Sequence, residues 1–125
     1  MVSTLITHRR TVLILGASID VLEWDTAITR ISQWARANES RYVCICNVHS
    51  VVTVSQDAEF RRVVNEADMA TPDGAPVAWM LRQLGFNGQE RINGPDLMWK
   101  YIEAMSHAES IFFLRGNGSH TRYFA

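Results

Sequence analysis

No apolar run in this chain approaches the roughly 18 residues that would span a bilayer. Neither sign of charge dominates either: 12 Lys and Arg face 13 Asp and Glu, for a net charge of −1. That balance removes the global electrostatic case for nucleic acid as a partner. Only two cysteines occur, Cys44 and Cys46 in "RYVCICNVH", so there is no disulfide framework, which suits a reducing compartment. At i and i+2 the two thiols share one face of a strand, a poor geometry for a disulfide. A two-thiol metal site would need further ligands, and His49 is the one candidate nearby, so buried strand packing is the expectation. Several chemical signatures are also missing. There is no D-x-D for a metal-bound nucleotide diphosphate, no G-x-x-x-x-G-K-[ST] and no G-x-G-x-x-G after the first apolar run. There is no G-x-S-x-G and no zinc-ligand spacing. The N-terminal "MVSTLITHRRTVLILGAS" places its basic pair before an apolar run too short for a secretion signal, and reads as a first strand.

What is present is a soluble, globular composition, 47% hydrophobic and 20% charged over 125 residues, enough for a single domain spanning 1–125. "TVLILG" (11–16) is continuously apolar and reads as a strand buried on both faces. "WDTAITRISQWARANES" (24–40) has helical spacing, with Asp25 as its expected N-cap. "RYVCICNV" (41–48) is a second strand, and "NVHSVVTVSQ" turns into a helix. "QDAEFRRVVNEAD" (56–68) reads as a helix capped by Asp57, with Phe60, Val63, Val64 and Ala67 inward. "MAT" (69–71) is a short strand. "GAPVAWMLRQLG" (74–85) has Val77, Met80, Leu81 and Leu84 on one stripe and Gly85 as its stop. "GPDLMWKYIEAMSHA" (94–108) opens on Pro95, which fits a first helical turn. "SIFFLRGNG" (110–118) reads as a further buried strand. The order β-α-β-α-α-β-α-α-β implies an α/β fold with a mostly parallel sheet covered on both faces. In such sheets ligands gather at the carboxyl ends of the strands, where this chain places "GASID", "NVHS", "TPDG" and "RGNG". The four tryptophans fall in or beside helices and read mainly as core, Trp79 lying close enough to Asp73 to wall a pocket.

The loop residues carry two readings each. Asp73 sits between a strand and a helix: it caps the helix, or it serves as a general base favoured in ionised form by the helix N-terminus. Asn47 and His49 follow the second strand and are turn or cap residues, or ligands for sugar hydroxyl or phosphate. Asp96 fits the first helical turn and reads as structural. Gly116 and Gly118 in "RGNG" allow close backbone approach to a phosphate.

"ILGASIDVLEWDTAITRI", "NVHSVV", "DAEFRRVVNEADMATPDGAPVAWMLRQLG" and "ERINGPDLM" occur in this order. Together they resemble the N-terminal half of the WecG/TagA/CpsF glycosyltransferases, from about Val12 to Leu114. The resemblance implies a Rossmann-like three-layer sandwich. It also implies inverting, metal-independent transfer of a sugar such as N-acetylmannosamine from a UDP-sugar donor to a polyprenyl-diphosphate-linked sugar acceptor, with no cofactor. The products would feed surface polysaccharide and teichoic acid, and the enzyme would sit in the cytoplasm against the inner face of the cell membrane. The family's "PDG" aspartate, its proposed general base, matches Asp73, and its Asn after the second strand matches Asn47. The matching motifs also place Thr71, Gly74, Arg91, Gly94 and Asp96 with the substrates.

Two departures stand out. Many members carry Thr where this chain has Ile45, and a substrate hydroxyl contact is then lost. Members also run on beyond this chain's end, through a G-x-P-x-Q-E segment and a basic tail that meets the membrane. The chain therefore reads as cut short at its C-terminus, holding half an active site and inactive by itself. With "IFFL" left uncovered on one flank, a homo-oligomer is expected. The alternatives are a nucleotide-sugar-binding module without transfer, or an inactive truncated remnant.

Overall fold

The computed structural model describes residues 8–116 and 121–124. Its first two strands form a hairpin: β1 (Thr11–Ile14) pairs antiparallel with β2 (Ala17–Asp20), Thr11 opposite Asp20 and Ile14 opposite Ala17. Leu15 (φ 51°) and Gly16 (φ 91°) both lie in the left-handed region, the signature of a type I′ turn, whose twist matches that of paired strands. The run 11–16 is therefore not a strand buried on both faces. Val12 and Ile14 pack on the core while Leu13 is 68% exposed. Glycine at the second turn position reverses the chain, so "GASID" is a turn and a strand rather than a loop at a strand's carboxyl end.

Five helices follow among the described residues: α1 (Trp24–Arg36), α2 (Val48–Gln56), α3 (Ala58–Asn65), α4 (Ala75–Gln83) and α5 (Gly94–Ala104). Asp57 caps α3 as expected, accepting from the Glu59 and Phe60 N–H groups at 2.9 and 3.1 Å. Asp25 does not cap α1; Glu23 is the N-cap residue, without a side-chain bond, and Asp25 lies in the first turn, where its charge still favours the helix dipole. Helix α4 ends as its Gly85 foretells. The Gly85 N–H bonds the Arg82 carbonyl and the Phe86 N–H bonds the Leu81 carbonyl, both at 3.1 Å, with Gly85 at φ 107°, a Schellman motif.

Between the helices lie β3 (Val43–Cys46) and β4 (Met69–Pro72), parallel and in register from Val43 opposite Met69 to Cys46 opposite Pro72. Side chains alternate across this pair. Cys44, Cys46 and Ala70 pack with Val51, Val54, Val64, Val77 and Leu81 from α2, α3 and α4. Val43, Ile45 and Met69 pack with Ala27, Ile28 and Leu97 from α1 and α5, and with Ile92. Helices thus cover both faces, and the α/β class read from the alternation of elements holds, in line with the Rossmann-like fold that the resemblance implies. The helix stripes hold less completely. Val63 and Leu84 are exposed, as are Trp79 and Trp99, which point away from the buried positions Val77, Ala78 and Leu97 of their helices.

Strand β5 (Phe113–Gly116) pairs antiparallel with β6 (Thr121–Phe124), and among the described residues with no other strand. The predicted buried strand at 110–118 is therefore one arm of a hairpin, with Phe112 and Leu114 exposed. Of the glycine-rich "RGNG" that suggested a phosphate loop, the first two residues end β5 and the last two lie outside the described residues. No helix among the described residues is long and apolar enough to cross a membrane.

One polar group joins the first hairpin to the parallel pair. Asp20, at the end of β2, is wholly buried. Its Oδ2 accepts the Ala70 N–H of β4 at 2.7 Å. Arg9 donates to both carboxylate oxygens, at 2.9 and 3.0 Å, and the Arg30 guanidinium of α1 stands 3.9 Å away. Removing one member of a buried pair leaves the other charge uncompensated, typically at about 3–5 kcal/mol. Asp20→Ala should therefore lower unfolding stability by about 3–5 kcal/mol in urea denaturation. Arg9→Ala should cost less, because Arg9 is partly exposed and water can take its place.

Candidate active site

The carboxyl ends of β3 and β4 lie side by side, Cys46 opposite Pro72, so the residues that follow each strand meet. The Asp73 N–H donates to the Cys46 carbonyl at 2.9 Å and to the Thr71 carbonyl at 3.0 Å. The Pro72 carbonyl in turn accepts the Ile92 N–H at 2.9 Å. That bond brings the segment before α5 against the end of β4 and delivers Arg91 to Asp73, with Nε 3.7 Å from Oδ1.

Helix α4 starts one residue later than a cap at Asp73 would require. Its N-cap is Gly74, at φ 94°, with no side-chain bond to the helix. A left-handed backbone suits glycine, and a Cβ added at Gly74 would stand 3.7 Å from the Cβ of Asn47. Asp73 is therefore not a capping residue. Its side chain is 23% exposed, and among the described residues no hydrogen bond engages either carboxylate oxygen. Arg91, at 54% exposure, is its ion-pair partner across a distance longer than a direct hydrogen bond.

Asn47 does cap. Its Oδ1 accepts the Ser50 N–H at 2.9 Å, and its own N–H donates to Ser50 Oγ at 3.3 Å, a reciprocal capping box at the start of α2. Because a backbone N–H only donates, this bond also fixes which end of the amide is oxygen. The Nδ2 group has no acceptor among the described residues and stands at the exposed strand end beside Gly74. The cap and ligand readings of Asn47 are thus compatible.

The other expected residues divide. Thr71 is fully buried, on the strand position opposite Ile45, and its Oγ1 has no hydrogen-bond partner. Gly94 opens α5 against the Ile45 side chain, whose Cγ1 and Cγ2 would lie 3.8 and 3.9 Å from an added Cβ. Asp96 is exposed in the first turn of α5, as its spacing suggested. His49 is exposed on α2, and no hydrogen bond or ion pair joins its ring to Asp73 or Arg91. Gly116 lies in β5, within the hairpin; Gly118 lies outside the described residues. The strand ends thus gather Asn47, Asp73, Gly74 and Arg91, with Thr71, Ile45 and Gly94 beneath and beside them. Asp20 and Gln89, whose side chains hold the surrounding backbone, had no motif or spacing to mark them.

Both cysteines are free. Burial pushes the Cys46 thiol up to about 12, reinforced by the charges of Cys44, Asp20 and Asp73. Cys46 is a packing residue rather than a nucleophile. Among the described residues no three His, Cys, Asp or Glu side chains stand together as a metal set.

A parallel strand pair, covered on both faces and gathering a carboxylate, a guanidinium and a free amide N–H at its carboxyl edge, has the layout of an α/β enzyme site. The sequence model of the glycosyl transferase WecG/TagA/CpsF family matches residues 12–122, and the chain belongs to that family. No curated protein matches it.

The Cys46 shift gives stability a sign against pH. The thiol ionises at a higher pH folded than unfolded, where its ordinary value is about 8.5. The unfolded state therefore loses its proton first, and stability falls as pH rises from about 9 toward 12. Tyr101, also pushed up to about 12 by burial and by its bond to Glu109, adds to the same decline. Urea denaturation across that range should show the decline, and Cys46→Ala should make it shallower than in the parent chain.

Proposed function

We propose that this chain carries the acceptor-activating part of a sugar-transfer site, with Asp73 as general base. The observation that supports it is the state of that carboxylate. It stands at the carboxyl edge of the parallel strands, is not used as a helix cap, and has no hydrogen bond among the described residues. A carboxylate so placed can take the proton of an acceptor hydroxyl. The hydroxyl oxygen then bonds to the anomeric carbon of the donor sugar, the bond from that carbon to the UDP phosphate oxygen breaks, and UDP leaves with the electron pair. Attack opposite the leaving group inverts the anomeric centre. In this reading Arg91 orients Asp73, and the Asn47 Nδ2 donates to a sugar oxygen. Thr71, Gly74, Gly94 and Asp96 shape the floor and rim of the substrate site, His49 lies at its edge, and the nucleotide-binding role falls to Gly116 and Gly118.

The donor is a UDP-sugar of the N-acetylmannosamine kind and the acceptor a polyprenyl-diphosphate-linked sugar. The reaction takes place at the cytoplasmic face of the membrane during assembly of surface polysaccharide or teichoic acid. The exposed Leu13, Phe112 and Leu114 support contact with further protein, a second copy among the candidates. The absence of D-x-D from the sequence supports transfer without a divalent metal.

In the transfer-competent protein, Asp73→Asn should lower turnover by about 10²–10⁴ while the thermal midpoint stays near that of the parent, since no cap bond is lost. UDP release from candidate UDP-sugars, read beside a thermal melt, is the measurement. Near-normal turnover by the folded variant would remove Asp73 from the chemistry. The same assay run with an excess of chelator should show unchanged turnover, and a strict magnesium or manganese requirement would refute the metal-free step.

A further inference from the structure

The parallel strand pair is open along one side. The Tyr42 carbonyl accepts the Asp68 N–H at 3.0 Å, and the Cys46 carbonyl accepts the Asp73 N–H at 2.9 Å. Backbone groups alternate sides along a strand, so the N–H and C=O of Val43 and Ile45 point away from β4. Among the described residues β3 pairs with no other strand, and no hydrogen bond engages those four groups. The edge lies between two apolar layers. Val43 and Ile45 pack with α1 and α5 on one face, and Cys44 and Cys46 pack with the helices of the other. Its sequence, VCIC, carries no charge or proline of the kind that blocks strand addition.

A strand seated between two such layers must be apolar on both faces. The run from Ile111 to Leu114 has that pattern, since successive side chains point to opposite faces. Neither face is covered. Phe112 and Leu114 are 77% and 65% exposed, and Phe113 is exposed as well. Among the described residues β5 and β6 pair only with each other, which leaves one edge of β5 unpaired. A two-stranded hairpin by itself is marginal in water. The edge of β3 lacks a strand, and the hairpin lacks a sheet. Fully burying an aromatic side chain removes about 150–250 Å² from water, so the exposed parts of Phe112, Phe113 and Leu114 come to roughly 300 Å². The receiving surface loses a similar area. In a reciprocal pair the contact occurs twice, covering roughly 1,200 Å², the size at which specific interfaces begin.

We infer that the open edge of β3 takes β5 from a second copy of this chain, each copy's hairpin seated on the other's sheet. Strand β3 runs into Asn47, so the partner's strand borders the candidate site. The pairing stands independently of the role given to Asp73, and its test reads no turnover. Sedimentation and amide hydrogen exchange of the full chain supply that test. The chain should sediment as a dimer, and the amides of Val43 and Ile45 should exchange slowly. Phe112→Lys and Leu114→Lys, both at exposed positions, should each raise the dimer dissociation constant by about tenfold or more. In the resulting monomers the two edge amides should exchange about tenfold faster, with the far-UV circular dichroism unchanged. Phe112 precedes β5, so its variant carries the test if Leu114→Lys does not fold. A monomeric parent chain would overturn the inference, whether the edge amides exchange fast or are shielded by the chain's own hairpin. So would a dimer whose Val43 and Ile45 amides exchange fast, or one that both lysine variants leave intact.

Discussion

The buried carboxylate of Asp20 is the contact through which three parts of the chain find one another. It takes the place of a backbone carbonyl for the Ala70 N–H, and so attaches the first hairpin to β4 without extending the hydrogen-bonded ladder. Its negative charge, out of water, is balanced by Arg9 ahead of the hairpin and by Arg30 on α1. A charge placed there without those partners would be prohibitively unfavourable. The hairpin, β4 and α1 are therefore mutually required. Gln89 repeats the device nearby with a neutral amide, satisfying both backbone groups of Leu22 where no strand is available to do so.

Those two side chains fix backbone, and the backbone fixes the site. Once β4 is held, its carboxyl end is placed beside that of β3, and the bond from the Ile92 N–H to the Pro72 carbonyl brings in the segment that carries Arg91. Nothing in this assembly spends the Asp73 side chain on structure. Gly74 takes the helix-start position with a left-handed backbone, which relieves the neighbouring aspartate of the capping role that its residue type would favour. Asn47, by contrast, uses one end of its amide for a cap and keeps the other for solvent or substrate. The two residues illustrate how one local signal, a polar residue before a helix, leads to different outcomes according to which backbone conformation the adjoining residue can adopt.

The Ile45–Thr71 pair sits directly below that edge. Thr71 carries a buried hydroxyl with no partner, opposite an isoleucine that offers none and that instead packs against the start of α5 at Gly94. A buried unpaired hydroxyl is uncommon and costs stability. Its position one residue before Pro72 sets that unpaired hydroxyl at the level where the strands end.

The sequence by itself determined the α/β class, the parallel central strands, the helices capped at Asp57 and stopped at Gly85, and the membership in a glycosyltransferase family carried by "PDG" and "GPDLM". These features depend on short-range pattern: alternation within a strand, the 3.6-residue period, and turn residues whose φ is restricted. Tertiary structure alone decided the rest. "TVLILG" and "IFFLRG" are apolar runs whose periodicity does not say which neighbour pairs with them, and both became hairpin arms rather than members of a parallel sheet. Trp79 and Trp99 lie on helices whose buried face is set by the sheet beneath, so their exposure was not legible in composition. Asp20 and Gln89 have no motif, because their roles exist only across gaps of 50 and 67 residues in the chain. Whether Asp73 capped a helix or stood open at the strand ends turned on the backbone of Gly74 and on Arg91 arriving from another segment, and no local pattern encodes that meeting.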